Sequence, residues 1–328
     1  MKKLLTLLLV LTLTLSALAL VACSGDEDTD DTVIRMGVMT GPTGIGAAKM
    51  MNDAKDGDGY EFTVKGNAKE LSPLLLTGEL DVAAIPSNVA ATLFNNSDGK
   101  ILLAAVNTLS VVSILERGET IESIENLRGK TIYATGKGGV PEYTIRYLLE
   151  KAGINPDTDV SFEWRTEPQE VLQYLKSDAG EGGVAMMPQP FVTKALSAVQ
   201  GLRIALDLND EWEKVEDTSR PVTGVLVVRA EFAEKHPERL AELLADYKAS
   251  IEYANANIEE VAPMIETHIG IEAAIVKNAL PACNIAFYSG KDMKAILAPF
   301  LEALYDMNPA SVGGKLPTNA FYYGADSK

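Results

Sequence analysis

Two pairs of echoing stretches constrain this chain more than any other feature of its sequence. Residues 78–88, "GELDVAAIPSN", and 180–190, "GEGGVAMMPQP", share Gly-Glu-x-x-Val-Ala-x-x-Pro, and each runs directly into a helical pattern. Residues 39–51, "MTGPTGIGAAKMM", and 134–148, "ATGKGGVPEYTIRYL", both pass from an apolar run through Thr-Gly and a second glycine into a helix. The two kinds of element recur in the same order, as two similarly built lobes would require.

Around these echoes, short apolar runs alternate with helical stretches. "VIRMGVM", "YEFTVKG", "DVAAIP", "KILLAAVN", "VVSILERG", "KTIYATG", "VSFEWRT", "GGVAMMP" and "RIALDL" read as strands. Residues 44–55, 87–95, "NAKELSPLLLTGEL", "PEYTIRYLLEKAG", "EPQEVLQYLKS" and "FVTKALSAV" read as helices. Leu240, Leu243, Leu244, Tyr247, Ile251 and Ala254 form a 3.6-period stripe with Glu242, Asp246 and Glu252 off it. The alternation predicts an α/β fold with mainly parallel sheets. Everything after Pro237 reads as mostly helical, ending in the irregular "PASVGGKLPTNAFYYGADSK".

The glycine loops fit no nucleotide motif. A Walker loop needs Gly-Lys-Ser/Thr opening the helix, and neither "TGPTGIGAA" nor "TGKGGVPEY" has it. Gly41, Gly44 and Gly46 carry the dinucleotide spacing reversed. The physics beneath those motifs still applies, because a helix start has unpaired N–H groups and about half a positive charge. Four such starts are expected, at Gly44, Ser87, Gly139 and Gln189, all at the carboxyl ends of strands, where α/β folds hold ligands.

Composition narrows the partners. The net charge is −17, and without the lysines at positions 2 and 3 it is −19, which argues against nucleic acid and against adhesion to anionic lipid. Only His236 and His268 exist, both near helix ends, so a Ser-His-Asp or Cys-His unit has no evident base. No His-x3-His, Cys-x2-Cys or EF-hand spacing occurs, and no metal or cofactor is expected. Roughly 290 residues follow the first apolar segment and its acidic tail, enough for two lobes.

That first segment has Lys2 and Lys3 ahead of "LLTLLLVLTLTLSALALVA" and ends at Cys23. It reads as a signal peptide, residues 1–22. Leu20-Val21-Ala22-Cys23 resembles a bacterial lipobox, which implies a lipidated Cys23 as mature N-terminus. Residues 23–31, "CSGDEDTDD", then form an acidic tether. Cys283 in "LPACNIAFY" is left without an intramolecular partner and reads as a small buried residue.

Together the lipobox, "GELDVAAIPSNVAATL", "NLRGKTIYATGKGGVPEYTIRYLLEKAG", "AMMPQPFVTKAL" and "GVLVVRAEFAEKHPE" resemble the solute-binding lipoproteins of ABC importers. Within them the chain is similar to the group of sulfonate, taurine and thiamine-pyrimidine-precursor binders. The resemblance implies the two-lobed type 2 periplasmic-binding-protein fold, with two mixed sheets flanked by helices and a hinge of two crossover strands. Hinges then fall near residues 107–112 and 220–224. Lobe one comprises residues 32–108 and 222–328, and lobe two residues 109–221. It also implies a monomer on the outer face of the bacterial cell membrane, passing a small-molecule solute to a permease and its ATPase. A thiamine-pyrimidine-making enzyme of this group carries Cys-Cys-Cys-Phe-Cys, which is absent here. A sensor-associated binding module and an enzyme on the same scaffold remain as alternatives.

The expected ligand-binding residues follow from the loops and hinges. They are Thr40, Gly41, Thr43 and Gly44 in the first loop, Ser87 and Asn88 at the second helix start, and Asn107 and Thr223 at the hinges. The second lobe contributes Thr135, Gly136, Lys137, Gly138, Gly139, Tyr143 and Gln189. Lys137 facing inward would favour a sulfonate-like anion, and a tyrosine such as Tyr143 or Tyr133 a flat heterocycle; the residues alone do not choose.

Overall fold

A computed structural model describes residues 30–54, 59–177, 180–217 and 219–325. The signal peptide, Cys23 and most of the acidic tether lie outside the described residues. Residues from Val33 onward form one unit.

The chain opens with β1 (Ile34–Met39), two short helices α1 (Pro42–Ile45) and α2 (Ala48–Asp53), β2 (Tyr60–Lys65), α3 (Ala68–Thr77), β3 (Val82–Pro86), α4 (Ser87–Asn96) and β4 (Ile101–Leu109). There follow β5 (Val112–Glu116), β6 (Thr131–Ala134), α5 (Val140–Lys151), β7 (Ser161–Trp164), α6 (Pro168–Lys176), β8 (Val184–Pro188), α7 (Phe191–Ala198), β9 (Arg203–Asp207) and α8 (Leu208–Glu213). The last part holds β10 (Val222–Arg229), α9 (Ala230–Lys235), α10 (Pro237–Ala256), α11 (Ile258–Ile269), α12 (Ala273–Ala279), β11 (Ile285–Tyr288) and α13 (Gly290–Met307).

Two mixed sheets result, ordered β11-β4-β10-β3-β1-β2 and β7-β6-β8-β5-β9. They share one plan. In the first, β1 lies parallel between β2 and β3, and β10 runs antiparallel between β3 and β4. In the second, β6 lies parallel between β7 and β8, and β5 runs antiparallel between β8 and β9. The echoing stretches of the sequence are the equivalent strands β1 with β6 and β3 with β8. The sheets are mixed, not mainly parallel, because β5 and β10 enter each sheet against the direction of its βα units. The two crossings lie side by side where Val222 pairs with Leu109, and the end of β8 meets the first of them, Gln189 donating its N–H to the Val111 carbonyl at 2.8 Å.

Local chemistry explains the helices. Asn67 caps α3 by accepting the Lys69 N–H at 3.0 Å, and Gly78, at φ 82°, ends it in the left-handed region. The stripe on α10 buries Leu240, Leu243, Tyr247, Ile251 and Ala254 at 1 % exposure or less. The first helix departs from expectation. It starts at Pro42 and stops after a turn, so Gly44 lies inside it and not at a helix start. Pro42 is pre-set for a first helical position, and Gly44 is needed for contact: a Cβ there would sit 1.9 Å from the Met39 carbonyl oxygen.

Beyond residue 237 the chain is largely helical, but β11 adds an unforeseen strand antiparallel to β4. Cys283, just before it, is buried, and burial pushes its thiol up to about 12. Helix α13 spans both halves. Its Phe300 meets Trp212 edge-on at 5.4 Å, and Trp212 stacks on Tyr147 of α5 at 4.5 Å.

Candidate ligand site

The carboxyl ends of β1, β3 and β4 bring together uncharged polar groups that are almost wholly buried. Asn107, 1 % exposed, donates from Nδ2 to the Thr43 carbonyl at 3.2 Å and to the Tyr247 hydroxyl at 2.9 Å, while its Oδ1 accepts from Thr108 at 3.0 Å. Gly224 of β10 packs on this cluster, and a Cβ there would lie 2.5 Å from Asn107 Oδ1. Complete burial keeps the Tyr247 hydroxyl far above its ordinary pKa, against a smaller opposing effect of Asn107, so it stays protonated. Ser87 donates to the Val222 carbonyl and ties the start of α4 to the returning crossing.

Two polar atoms in this region have no protein partner. Asn88, in the first turn of α4 and 5 % exposed, leaves Oδ1 buried and unbonded, and so does Thr223 with Oγ1. Such groups cost about 1–3 kcal/mol each when left unpaired. From the other sheet, Thr135 is also buried, at 4 % exposure.

A cavity of about 550 Å³ opens between the two sheets' strand ends. Thr40, Gly41, Gly66, Ile269, Ile271 and Glu272 line it from the first half. Glu167, Gln189, Phe191 and Lys194 line it from the second. Lys194 pairs with Glu272 at 3.0 Å, an ion pair across the cleft.

The predicted residues are therefore distributed as follows. Thr40, Gly41 and Gln189 line the cavity; Thr43, Asn107 and Ser87 are tied into the buried network; Asn88 and Thr223 carry unbonded atoms. Lys137 and Gly138 are exposed, Gly136 and Gly139 half-buried. Tyr143 is buried and receives a 3.4 Å contact from Asn308, in a separate pocket with Glu142 and Arg146. His236 and His268 are half-buried, and neither lines the cavity. Among the described residues no group of three or more His, Cys, Asp or Glu could hold a metal.

The four expected helix tips are not equally open. A tip contributes about 0.3–1 kcal/mol to a nearby negative charge, but the protein's own oxygens occupy most of them. The Gly44 N–H bonds the Gly41 carbonyl at 3.0 Å. At α5 the Glu142 carboxylate folds back on the Gly138 N–H at 2.7 Å. At α7 the Gln189 side chain accepts the Thr193 N–H at 3.3 Å and its hydroxyl at 2.9 Å. At α4, starting after Pro86, no side chain caps the first turn. Sequence reasoning missed Glu142, although an acid in a helix's first turn is a visible capping signal. It also missed Glu272 and Lys194, 78 residues apart, whose meeting no local pattern encodes.

Two sheets that share a five-strand plan, joined by adjacent crossings and facing each other across a cavity, define the two-lobed type 2 periplasmic-binding-protein fold. Within that fold the chain belongs to the family described as "Menaquinone biosynthesis", whose profile matches residues 28–288. An ABC transporter protein from Parabacteroides distasonis is similar at 24% identity and TM-score 0.74, over 89% of this chain and 98% of that one. The periplasmic aliphatic sulphonate binding protein SsuA of Escherichia coli is similar at 15% identity and TM-score 0.70, over 87% and 92%. The periplasmic nitrate-binding protein NrtA of Synechocystis is similar at 15% identity and TM-score 0.55, over 80% and 74%. No curated protein matches the chain.

Proposed function

We propose that this chain is an extracytoplasmic solute-binding lipoprotein that captures a small organic solute between two lobes and delivers it to an ABC importer. The lobes are residues 32–108 with 222–328, and 109–221, closing about the paired crossings. Cys23 carries the lipid that holds the monomer on the outer face of the cell membrane, and a permease with its ATPase receives the solute. The observation that carries the reading is the pair of buried, unbonded atoms on Asn88 and Thr223, beside the crossings of a two-sheet cleft. A folded chain holds such atoms at a cost, and a bound solute with matching donors and acceptors removes it. The names of two structurally similar proteins, an ABC transporter and a periplasmic sulphonate binding protein, support the same role.

The test is native mass spectrometry of the mature domain purified from its own host. A small-molecule adduct, lost on unfolding, is the expected result. Absence of any adduct, together with no thermal stabilisation by fractions of a host extract, refutes capture. The family's description favours one second reading, an enzyme of menaquinone synthesis on the same scaffold. Conversion of the released compound to a new mass on incubation with fresh protein would establish that reading over transport.

A further inference from the structure

Resting on the capture reading, we infer that the solute is an uncharged polar compound, in contrast to the anions in the names of the sulphonate- and nitrate-binding proteins. Three observations converge. First, the uncharged polar side chains that line the cavity are those of Thr40, Gln169 and Gln189, and Asn88, Thr135 and Thr223, at the strand ends but outside that lining, are neutral too. No lysine or arginine is among the buried polar side chains of the described residues. Second, the place an anion would take at the glycine loop before α5 is filled by the protein's own Glu142 carboxylate on the Gly138 N–H. An incoming anion would have to displace a carboxylate that Arg146 also holds, at 3.0 Å. Third, Lys194 is the one cation lining the described cavity, and Glu272 neutralises it, while Glu167 adds a further carboxylate to the same wall.

A negative solute would thus leave water for a site with no unpaired cation and an excess of carboxylates, in a chain of net charge −17. A neutral molecule with carbonyl, amide or hydroxyl groups meets the Thr40 hydroxyl and the Gln169 and Gln189 carboxamides of that lining without the cost. Phe191, Ile269 and Ile271 supply an apolar flank for its body. Lys137 does not alter the balance, since it is exposed and lies outside the lining of the cavity.

The experiment has two arms. The compound released by denaturing host-purified protein is passed over an anion exchanger at pH 7, and ligand-free protein is melted with millimolar methanesulfonate and with nitrate. We expect the released compound in the flow-through and unchanged melting with either anion. Retention on the exchanger, or a saturable rise in melting temperature with methanesulfonate or nitrate, overturns the inference and leaves capture standing. A protein that releases nothing and responds to no fraction of a host extract fails the capture reading, and this inference falls with it.

Discussion

Replacing Asn88 by alanine should weaken solute binding and leave the empty protein as stable as before, or more so. The structure gives the opposing signs. Asn88 Oδ1 is buried without a hydrogen bond, a state that costs about 1–3 kcal/mol. Alanine removes that cost and gains about half a kcal/mol of helix propensity in the first turn of α4. Lost packing of a small side chain offsets part of this, so the net effect on the ligand-free fold is about 0 to +2 kcal/mol. The solute loses a hydrogen bond in a closed site, about 1–3 kcal/mol, or roughly 5- to 150-fold in Kd. Differential scanning calorimetry of the ligand-free pair and isothermal titration with the co-purified compound measure both. A variant that melts several degrees lower but binds unchanged would show that Asn88 supports the fold, and the reasoning would be wrong.

Three further outcomes are expected. Burial raises the Asp81 pKa, but hydrogen bonds from Arg35 and Arg229 outweigh it and hold the carboxyl below its ordinary value. Its stabilisation is therefore full above the ordinary carboxylate value and is lost as pH falls through the lowered one. Asp81→Asn should cost about 3–5 kcal/mol at pH 7, with the gap to the unchanged protein closing below about pH 4; a gap constant with pH in urea unfolding contradicts this. Gly224→Ala drives a methyl against Asn107 and Thr43 and should cost about 1–3 kcal/mol; unaltered melting would mean the crossing yields freely. Glu272→Gln leaves Lys194 uncompensated, so methanesulfonate should stabilise this variant alone; no response would place the Lys194 charge outside the solute's reach.

What the sequence made legible was local. The alternation of strands and helices, the capping residues and the polar residues that follow strand ends are each written within a few positions. Thr43, Ser87 and Asn88 stood out for that reason, Asn107 only through the hinge that the family resemblance implies, and all four are buried. Gly44 was ambiguous in kind, because a glycine that opens amides to a ligand and one that lets a helix touch a strand have the same neighbours. Its 1.9 Å hypothetical contact with the Met39 carbonyl decides for touch. The antiparallel seating of β5 and β10 depends on pairing between distant segments, so the strand runs alone suggested parallel sheets. The four-residue β11, hidden among helices, was too short for its alternation to register.

The plan of the two sheets also dictates an order of assembly. All strands of the second sheet come from one continuous piece, residues 112–207, whereas β10 must wedge between β3 and β4, which precede it by more than a hundred positions. A nascent chain threaded from its N-terminus therefore holds two unzipped strand margins until residue 229 has emerged. Exposed margins of this kind invite pairing with other chains. In that interval the protein is most vulnerable to aggregation, and a truncation before β10 should leave the middle piece structured beside an unfinished, adhesive partner.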